Sequence, residues 1–254
     1  MTDPFDLTGR TALVTGSSRG IGRALAGGLA AAGAHVVLHG RDAAALRREA
    51  DALTADGAAV SSVVFDVTDE DAVERGVAEL LERVGAIDVL VNNAGVQSRA
   101  PFTEFPVAEW HRLVATNLTS AFLVSRAVAR GMQERRAGKI IHIGSVQSML
   151  GRPGITPYAA TKGGIAMLTR GMCADLGPSG IQVNAIAPGY FATDLTASLV
   201  ADPEFTGWVE RRTPAGRWGR MEDLIGAAVF LASGASDFVN GQILTVDGGM
   251  TAVV

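Results

Sequence analysis

The chain holds a single cysteine, Cys173, in 254 residues. No intrachain disulfide can form, and a reducing, cytoplasmic setting is the expectation. Cys173 itself reads as a small buried hydrophobe. Charge is sparse and balanced: 19% of residues are charged, with 22 Lys and Arg against 26 Asp and Glu, for a net charge of −4. No Lys/Arg run is present, which argues against a nucleic-acid or anionic-membrane partner. No uninterrupted apolar stretch reaches about 18 residues, so no membrane span is expected. The segment Met1–Arg10 is polar and contains Asp3 and Asp6, unlike a secretory leader. Four histidines, His35, His39, His111 and His142, lack metal-ligand spacing, so no metal site is expected. His142 falls within an apolar run and reads as a packed strand residue.

What the chain does have is apolar residues, at 48%, and 31 glycines. Short apolar runs predict strands at Thr11–Val14, His35–Leu38, Val60–Phe65, Asp88–Val91, Lys139–Ile143, Gln182–Ile186 and Ile243–Val246. Continuous hydrophobicity, as in Ile87–Val91, marks strands covered on both faces. Amphipathic stretches near 21–32, 42–56, 69–84, 106–134, 157–176 and 221–232 alternate with them. That rhythm predicts an α/β fold: three layers, doubly wound, with a seven-stranded parallel sheet in one domain spanning 1–254. Only Gly189–Trp218 breaks the rhythm. It is too long for an ordinary connection and reads as a substrate lid.

Two local patterns carry chemistry. Tyr158 and Lys162 stand four residues apart, on one face of a predicted helix, with Ser145 thirteen positions upstream. An ammonium beside a phenol favours the phenolate and lowers its pKa, which would make Tyr158 a proton donor and acceptor near neutrality. Thr156 and Pro157 supply a plausible cap and first position for that helix. The second pattern is Thr15-Gly16-Ser17-Ser18-Arg19-Gly20-Ile21-Gly22, placed between the first strand and the first helix. Glycines there let backbone N–H groups approach a pyrophosphate at a helix N-terminus.

The Gly-x-x-x-Gly-x-Gly spacing of Gly16, Gly20 and Gly22 resembles the short-chain dehydrogenase/reductase family. So do Asn92-Asn93-Ala94-Gly95, Ser145, Tyr158 with Lys162, and Pro188-Gly189, all in family order along essentially the whole chain. The resemblance implies a nicotinamide dinucleotide held by Gly16, Ser18, Arg19, Gly20, Ile21, Gly22, Asn93, Gly95, Pro188, Gly189 and Thr193. It implies catalysis by Asn117, Ser145, Tyr158 and Lys162. Tyr158 would act as general acid/base, Lys162 would tune it and hold the ribose, Ser145 would bind the substrate oxygen, and Asn117 would hold a relay water. Asp66-Val67 would meet the adenine, although Asp66 also fits a cap on the next helix. By alignment with the family, Gly40 occupies the acidic position of NAD enzymes and Arg41 follows it. Together with Arg19, Arg41 could clamp a 2′-phosphate, so NADP(H) is expected over NAD(H). Asp42 reads as a helix cap.

Stretches around Ser145–Ser148, Arg152–Gly154, Pro188–Thr193, Thr213–Arg220 and Val246–Thr251 resemble the part of that family that interconverts D-gluconate and 5-keto-D-gluconate. A sugar acid needs a cation for its carboxylate. Arg99 is the first candidate and Arg152 the second, unless Arg99 only faces solvent. Gln147 and Ser148 could read hydroxyls, alongside Ser145 and Tyr158. A 3-oxoacyl-thioester reductase would use the same four catalytic residues, and a non-catalytic NADP-sensing protein is a remoter alternative. Family members are commonly homotetramers, and the long helix near 106–134 and the tail Ala252-Val253-Val254 are compatible with that.

Overall fold

The computed structural model describes residues 3–193 and 196–254. Asp194 and Leu195, within the predicted lid, lie outside the described residues. Seven strands form one sheet: Thr11–Val14 (β1), His35–Gly40 (β2), Val60–Val64 (β3), Val89–Asn92 (β4), Gly138–Ile143 (β5), Ile181–Pro188 (β6) and Ile243–Val246 (β7). Their order is β3-β2-β1-β4-β5-β6-β7, and every pairing is parallel. Parallel strands require crossovers, which the helices supply: Gly20–Ala31 (α1), Ala43–Ala55 (α2), Glu70–Val84 (α3), Val107–Val114 (α4), Ser120–Arg135 (α5), Thr156–Leu176 (α6), Ala197–Val200 (α7), Pro203–Arg212 (α8) and Glu222–Ala232 (α9).

Neighbouring residues on a strand point to opposite faces, and here both faces are covered. Val14, Val36, Leu38 and Val91 pack with Leu25 and Leu29 of α1 and Leu224 and Leu231 of α9. Leu13, Val37 and Leu90 pack with Val77 and Leu80 of α3 and Val124, Val128 and Met132 of α5. Each such side chain contributes about 1.5–3 kcal/mol of burial. This two-sided core is why the central strands read as unbroken apolar runs. The edge strands β3 and β7 are only partly covered. Cys173 is half-buried rather than buried, at the margin of the second face.

Two helical expectations are corrected. The stretch 106–134 is not one helix: a π-helical turn over Ala115–Thr119 separates α4 from α5. Such a turn inserts one extra residue into the helical path, and it often marks a functional position. Asn117 sits at its centre, buried. Thr156 does not cap α6. It is the first helical residue, Ile155 precedes it in the cap position, and no side chain bonds there. Asp42 does cap α2, accepting from the amides of Ala44 and Ala45. Among the described residues, no helix is long and apolar enough to cross a membrane.

Candidate active site

Strand order reverses between β1 and β4, with β2 and β3 on one side and β5 to β7 on the other. A crevice opens at the carboxyl ends of strands at such a point. The glycine turn leaves β1 there. Gly16 and Gly20 have φ of +64° and +56°, left-handed conformations that a side chain resists. Gly22 is needed for close approach: a Cβ on it would collide with the Asn93 amide and lie 2.5 Å from the Gly16 carbonyl oxygen. Asn93 Nδ2 donates to the carbonyls of Thr15 (2.9 Å) and Gly16 (3.1 Å), and the Thr15 hydroxyl accepts from the amides of Asn93 (2.9 Å) and Ala94 (3.1 Å). Asn93 therefore braces the turn with its side chain. Aspartates cap α2, α3 and α8, but no side chain caps α1. An uncapped helix N-terminus behind a bare glycine turn fits a pyrophosphate.

His39 is a part of this turn that sequence reasoning missed. It is buried at the end of β2, and its Nδ1 accepts the Gly16 N–H at 3.3 Å. Its Nε2 lies 3.2 Å from the Phe65 carbonyl, and its ring centroid is 4.1 Å from that of Phe65. Accepting at Nδ1 requires the proton on Nε2, so the neutral ring clamps the glycine turn to the end of β3. Burial lowers its pKa from 6.5 to about 4, which keeps it neutral. The available signal was an ionisable residue ending an apolar strand just before Gly40-Arg41.

On the same side, Gly40 leaves room near Ser18, whose Oγ would lie 3.7 Å from a Cβ at position 40. Arg41 is exposed and rests 3.5 Å from Asp66. Asp66 does not cap the next helix, which Asp69 caps instead; the Asp66 Oδ1 braces the turn before it, accepting from the Thr68 amide (2.9 Å) and hydroxyl (2.8 Å). Those bonds, the Thr68 amide first, and Arg41 hold its carboxyl below the ordinary range. Val67 is buried beside it, Ile21 is half-buried against the core, and Arg19 is exposed. At the far side of the crevice, Gly189 follows Pro188 and donates to the Val246 carbonyl at 2.9 Å. Thr193 pairs with Thr196, hydroxyl to hydroxyl at 3.1 Å.

Ser145, Tyr158, Lys162 and Asn117 meet where β4 and β5 end. Ser145 Oγ accepts the Gln147 N–H at 3.1 Å, which leaves its own proton free to donate. Tyr158 as a residue is half-buried, but protein crowds its hydroxyl, and that burial raises the phenol above its ordinary value. The Ser145 hydroxyl and Arg99 pull it down, while Tyr190 adds to the rise. The expected role of Lys162 in lowering this pKa is not what the geometry gives. Its ammonium is 5.7 Å from the Tyr158 ring centroid and donates to the Ile143 carbonyl at 2.6 Å. Burial lowers Lys162 itself from 10.5 to about 8. Asn117 is fixed by its side chain. Its amide is committed to protein, accepting from Val96 N (2.8 Å) and donating to Val96 O (2.9 Å) and Thr161 Oγ1 (3.3 Å). The side chain therefore fastens the loop after Gly95 to α6.

The region predicted as a lid contains α7 and α8. Tyr190 meets Phe205, Trp208 and Trp218 at 5.5–5.8 Å between ring centroids. Arg152 lies 4.6 Å above the Phe205 ring and donates to the Tyr190 hydroxyl. Arg99 is exposed, and burial of its guanidinium and the charge of Arg152 both lower its pKa. Among the described residues, neither arginine forms an ion pair. Gln147 is buried, and its Oε1 has no hydrogen-bond partner among the described residues. A cavity of about 170 Å³ lies under the lid, lined by Tyr190, Phe191, Thr213 and Asp247 among others. A larger one, about 290 Å³, lies at the opposite end of the sheet, where Lys139 is already paired with Asp237.

A phenol, a free serine proton and a buried amine beside an anion-binding turn can exchange a proton with an oxygen held between Ser145 and Tyr158. A family profile described as enoyl-(acyl carrier protein) reductase matches residues 16–251. The chain is 57% identical to a gluconate 5-dehydrogenase of Gluconobacter oxydans, with 98% of this chain and 97% of that protein covered. It is 52% identical to a 5-keto-D-gluconate 5-reductase of Escherichia coli K12 over the full length of both. A solved gluconate 5-dehydrogenase from Burkholderia cenocepacia, in complex with NADP and tartrate, superposes with a TM-score of 0.98 at 55% identity, covering 99% of each chain.

Proposed function

The chain belongs to the short-chain dehydrogenase/reductase family, and we propose that it interconverts D-gluconate and 5-keto-D-gluconate with NADP(H) preferred over NAD(H). The observation that carries the substrate reading is the pair Arg99 and Arg152, two arginines without an ion pair among the described residues, converging near Tyr158. They suit a carboxylate, and Gln147 Oε1, a buried acceptor with no donor among the described residues, suits a sugar hydroxyl.

When bound, the dinucleotide supplies or takes up the hydride. The protein's own residues handle the proton and the orientation. In the reductive direction Tyr158 gives its hydroxyl proton to the carbonyl oxygen, and Ser145 donates a hydrogen bond to the same oxygen. In the oxidative direction the phenol oxygen takes the proton back. Lys162 holds the floor of the site through the Ile143 carbonyl. Asn117 positions the loop that carries Gly95 and Val96. Gly16, Ser18, Gly20, Ile21 and Gly22 hold the pyrophosphate end. The NADP preference rests on Gly40, which offers no carboxylate, and on Arg19 and Arg41 beside it. A homotetramer in the cytoplasm completes the reading. It is supported by the exposed apolar Val107, Phe122, Met167 and Phe238 and by the lone cysteine.

A carbonyl and sugar-acid panel with both coenzymes, followed by nicotinamide absorbance, tests this. The expected result is the highest kcat/KM for 5-keto-D-gluconate with NADPH. A higher value for acetoacetyl thioesters, or with NADH, would overturn the substrate or the coenzyme assignment respectively. Binding without turnover across the panel would favour a sensor. Arg99→Ala should raise KM for gluconate and leave KM for NADP(H) alone. Gly40→Asp with Arg41→Ala should move the preference towards NAD(H). Light scattering reads the assembly.

A further inference from the structure

We propose that Tyr190 is a specificity-determining positioning residue: its hydroxyl holds the Arg152 guanidinium in place, and through Arg152 the lid selects substrates that carry a carboxylate. This inference rests on the sugar-acid reading of the site.

Tyr190 is the first side chain of the lid, two residues after β6 ends. Its ring meets three others close to edge-on: Phe205 at 70°, Trp208 at 90° and Trp218 at 85°. Contacts of this geometry favour a ring electrostatically as well as by burial. The Trp218 indole is in turn fixed by its N–H to the Thr206 hydroxyl at 3.2 Å. The Tyr190 ring is thus wedged, and its hydroxyl has a fixed place.

That hydroxyl accepts from Arg152 Nη1 at 3.3 Å, while the guanidinium stacks 4.6 Å from the Phe205 centroid. A guanidinium carries five N–H donors in a planar fork. Among the described residues only this one donor is engaged, so the remaining fork can take a carboxylate through two parallel bonds. Arg99 needs the same restraint. The charge of Arg152 lowers the pKa of Arg99, so the two guanidiniums stand close enough to repel. The phenol therefore stands among Arg99, Arg152 and Tyr158 and ties the lid to the catalytic face. A neutral polyol would gain nothing from this arrangement, whereas an acid of the right length would meet both cations while its reacting carbon faces Tyr158.

The test compares wild type, Tyr190→Phe, Arg152→Met and the double variant. Phenylalanine keeps the ring and removes only the acceptor, and thermal melts check that each variant folds. The expected result is a KM for gluconate raised about tenfold in Tyr190→Phe, the scale of one hydrogen bond to a charged group. The Kd for NADP(H) stays at its wild-type value. The double variant is no worse than Arg152→Met, because Tyr190 acts through Arg152. An unchanged KM in Tyr190→Phe, losses that multiply in the double variant, or an equal shift in NADP(H) affinity would each overturn the proposal. If wild type does not turn over the sugar acid, the gluconate reading falls on its own. The Ki of tartrate against whichever carbonyl is reduced then reads the same residues: a weaker Ki in Tyr190→Phe supports the Tyr190–Arg152 latch, and an equal Ki sinks it.

Discussion

Lys162 and Tyr158 share a face of α6, yet the lysine's hydrogen bond runs to the Ile143 carbonyl at 2.6 Å and its Nζ is 5.7 Å from the tyrosine ring centroid. The pair is thus organised by the end of β5 as much as by helical spacing. Arg99 and Ser145, from two other loops, are the groups that draw the phenol down.

The first prediction concerns that phenol. The chain has two tyrosines, so Tyr190→Phe leaves Tyr158 alone in an ultraviolet difference titration. In the dinucleotide-free protein its midpoint should lie above the ordinary phenol value, and adding Arg99→Ala should raise it further. A midpoint near neutrality would contradict burial as the dominant influence. Separately, Tyr158→Phe should lower kcat by about 10²–10⁴ while the NADP(H) Kd is kept. More than about a tenth of wild-type kcat would remove Tyr158 as the principal acid/base.

Lys162 should leave a mark on stability. Its amine titrates at about 8 in the fold against 10.5 ordinarily, so between those values the unfolded chain binds more protons. Stability of the dinucleotide-free protein should therefore rise as pH climbs from about 8 towards 10.5, by roughly 3 kcal/mol at most. Denaturant midpoints across this range should show the rise in wild type, and Lys162→Met should flatten it.

His39 and His142 act at the other end of the pH scale. Both are buried, and burial lowers each from 6.5 to about 4. The unfolded chain takes up protons first as pH falls, so stability should decline from about 6.5 down to about 4. His39→Asn keeps an acceptor for Gly16 and cannot protonate. Its NADP(H) Kd should be less acid-sensitive than that of wild type, measured by fluorescence between pH 4.5 and about 6.5. Equal acid sensitivity would show that His39 does not hold the glycine turn.

The glycine turn separates two kinds of constraint. Gly20→Ala meets open space but a φ of +56°, so it should cost about 1–2 kcal/mol and weaken NADP(H) binding modestly. Gly22→Ala drives a methyl against Asn93 and the Gly16 carbonyl and should abolish measurable binding. Calorimetric titration distinguishes them, and comparable affinities in the two variants would be the contrary result.

Much of this protein was legible locally. Strands β1 and β7 begin and end where their apolar runs do, and in β1 those side chains are buried on both faces of the sheet. Asp42 reads as a cap because capping is settled within three residues. The π-helical turn at Asn117 was not legible: an apolar period fits a continuous helix equally well, and the extra residue answers to Val96 and Thr161 across the cleft. Tyr190 and His39 were missed for a similar reason, since each works through partners from 15 to 38 positions away.

By itself the sequence determined the βαβ order, the glycine turn and the presence of a tyrosine, lysine and serine in family register, because these depend on spacing within one or two elements. Only the tertiary structure decided how the phenol is tuned, which side chains brace the dinucleotide turn, and that Arg152 docks against the lid. Those outcomes depend on burial and on charges from distant loops, and both exist only once the chain has closed on itself.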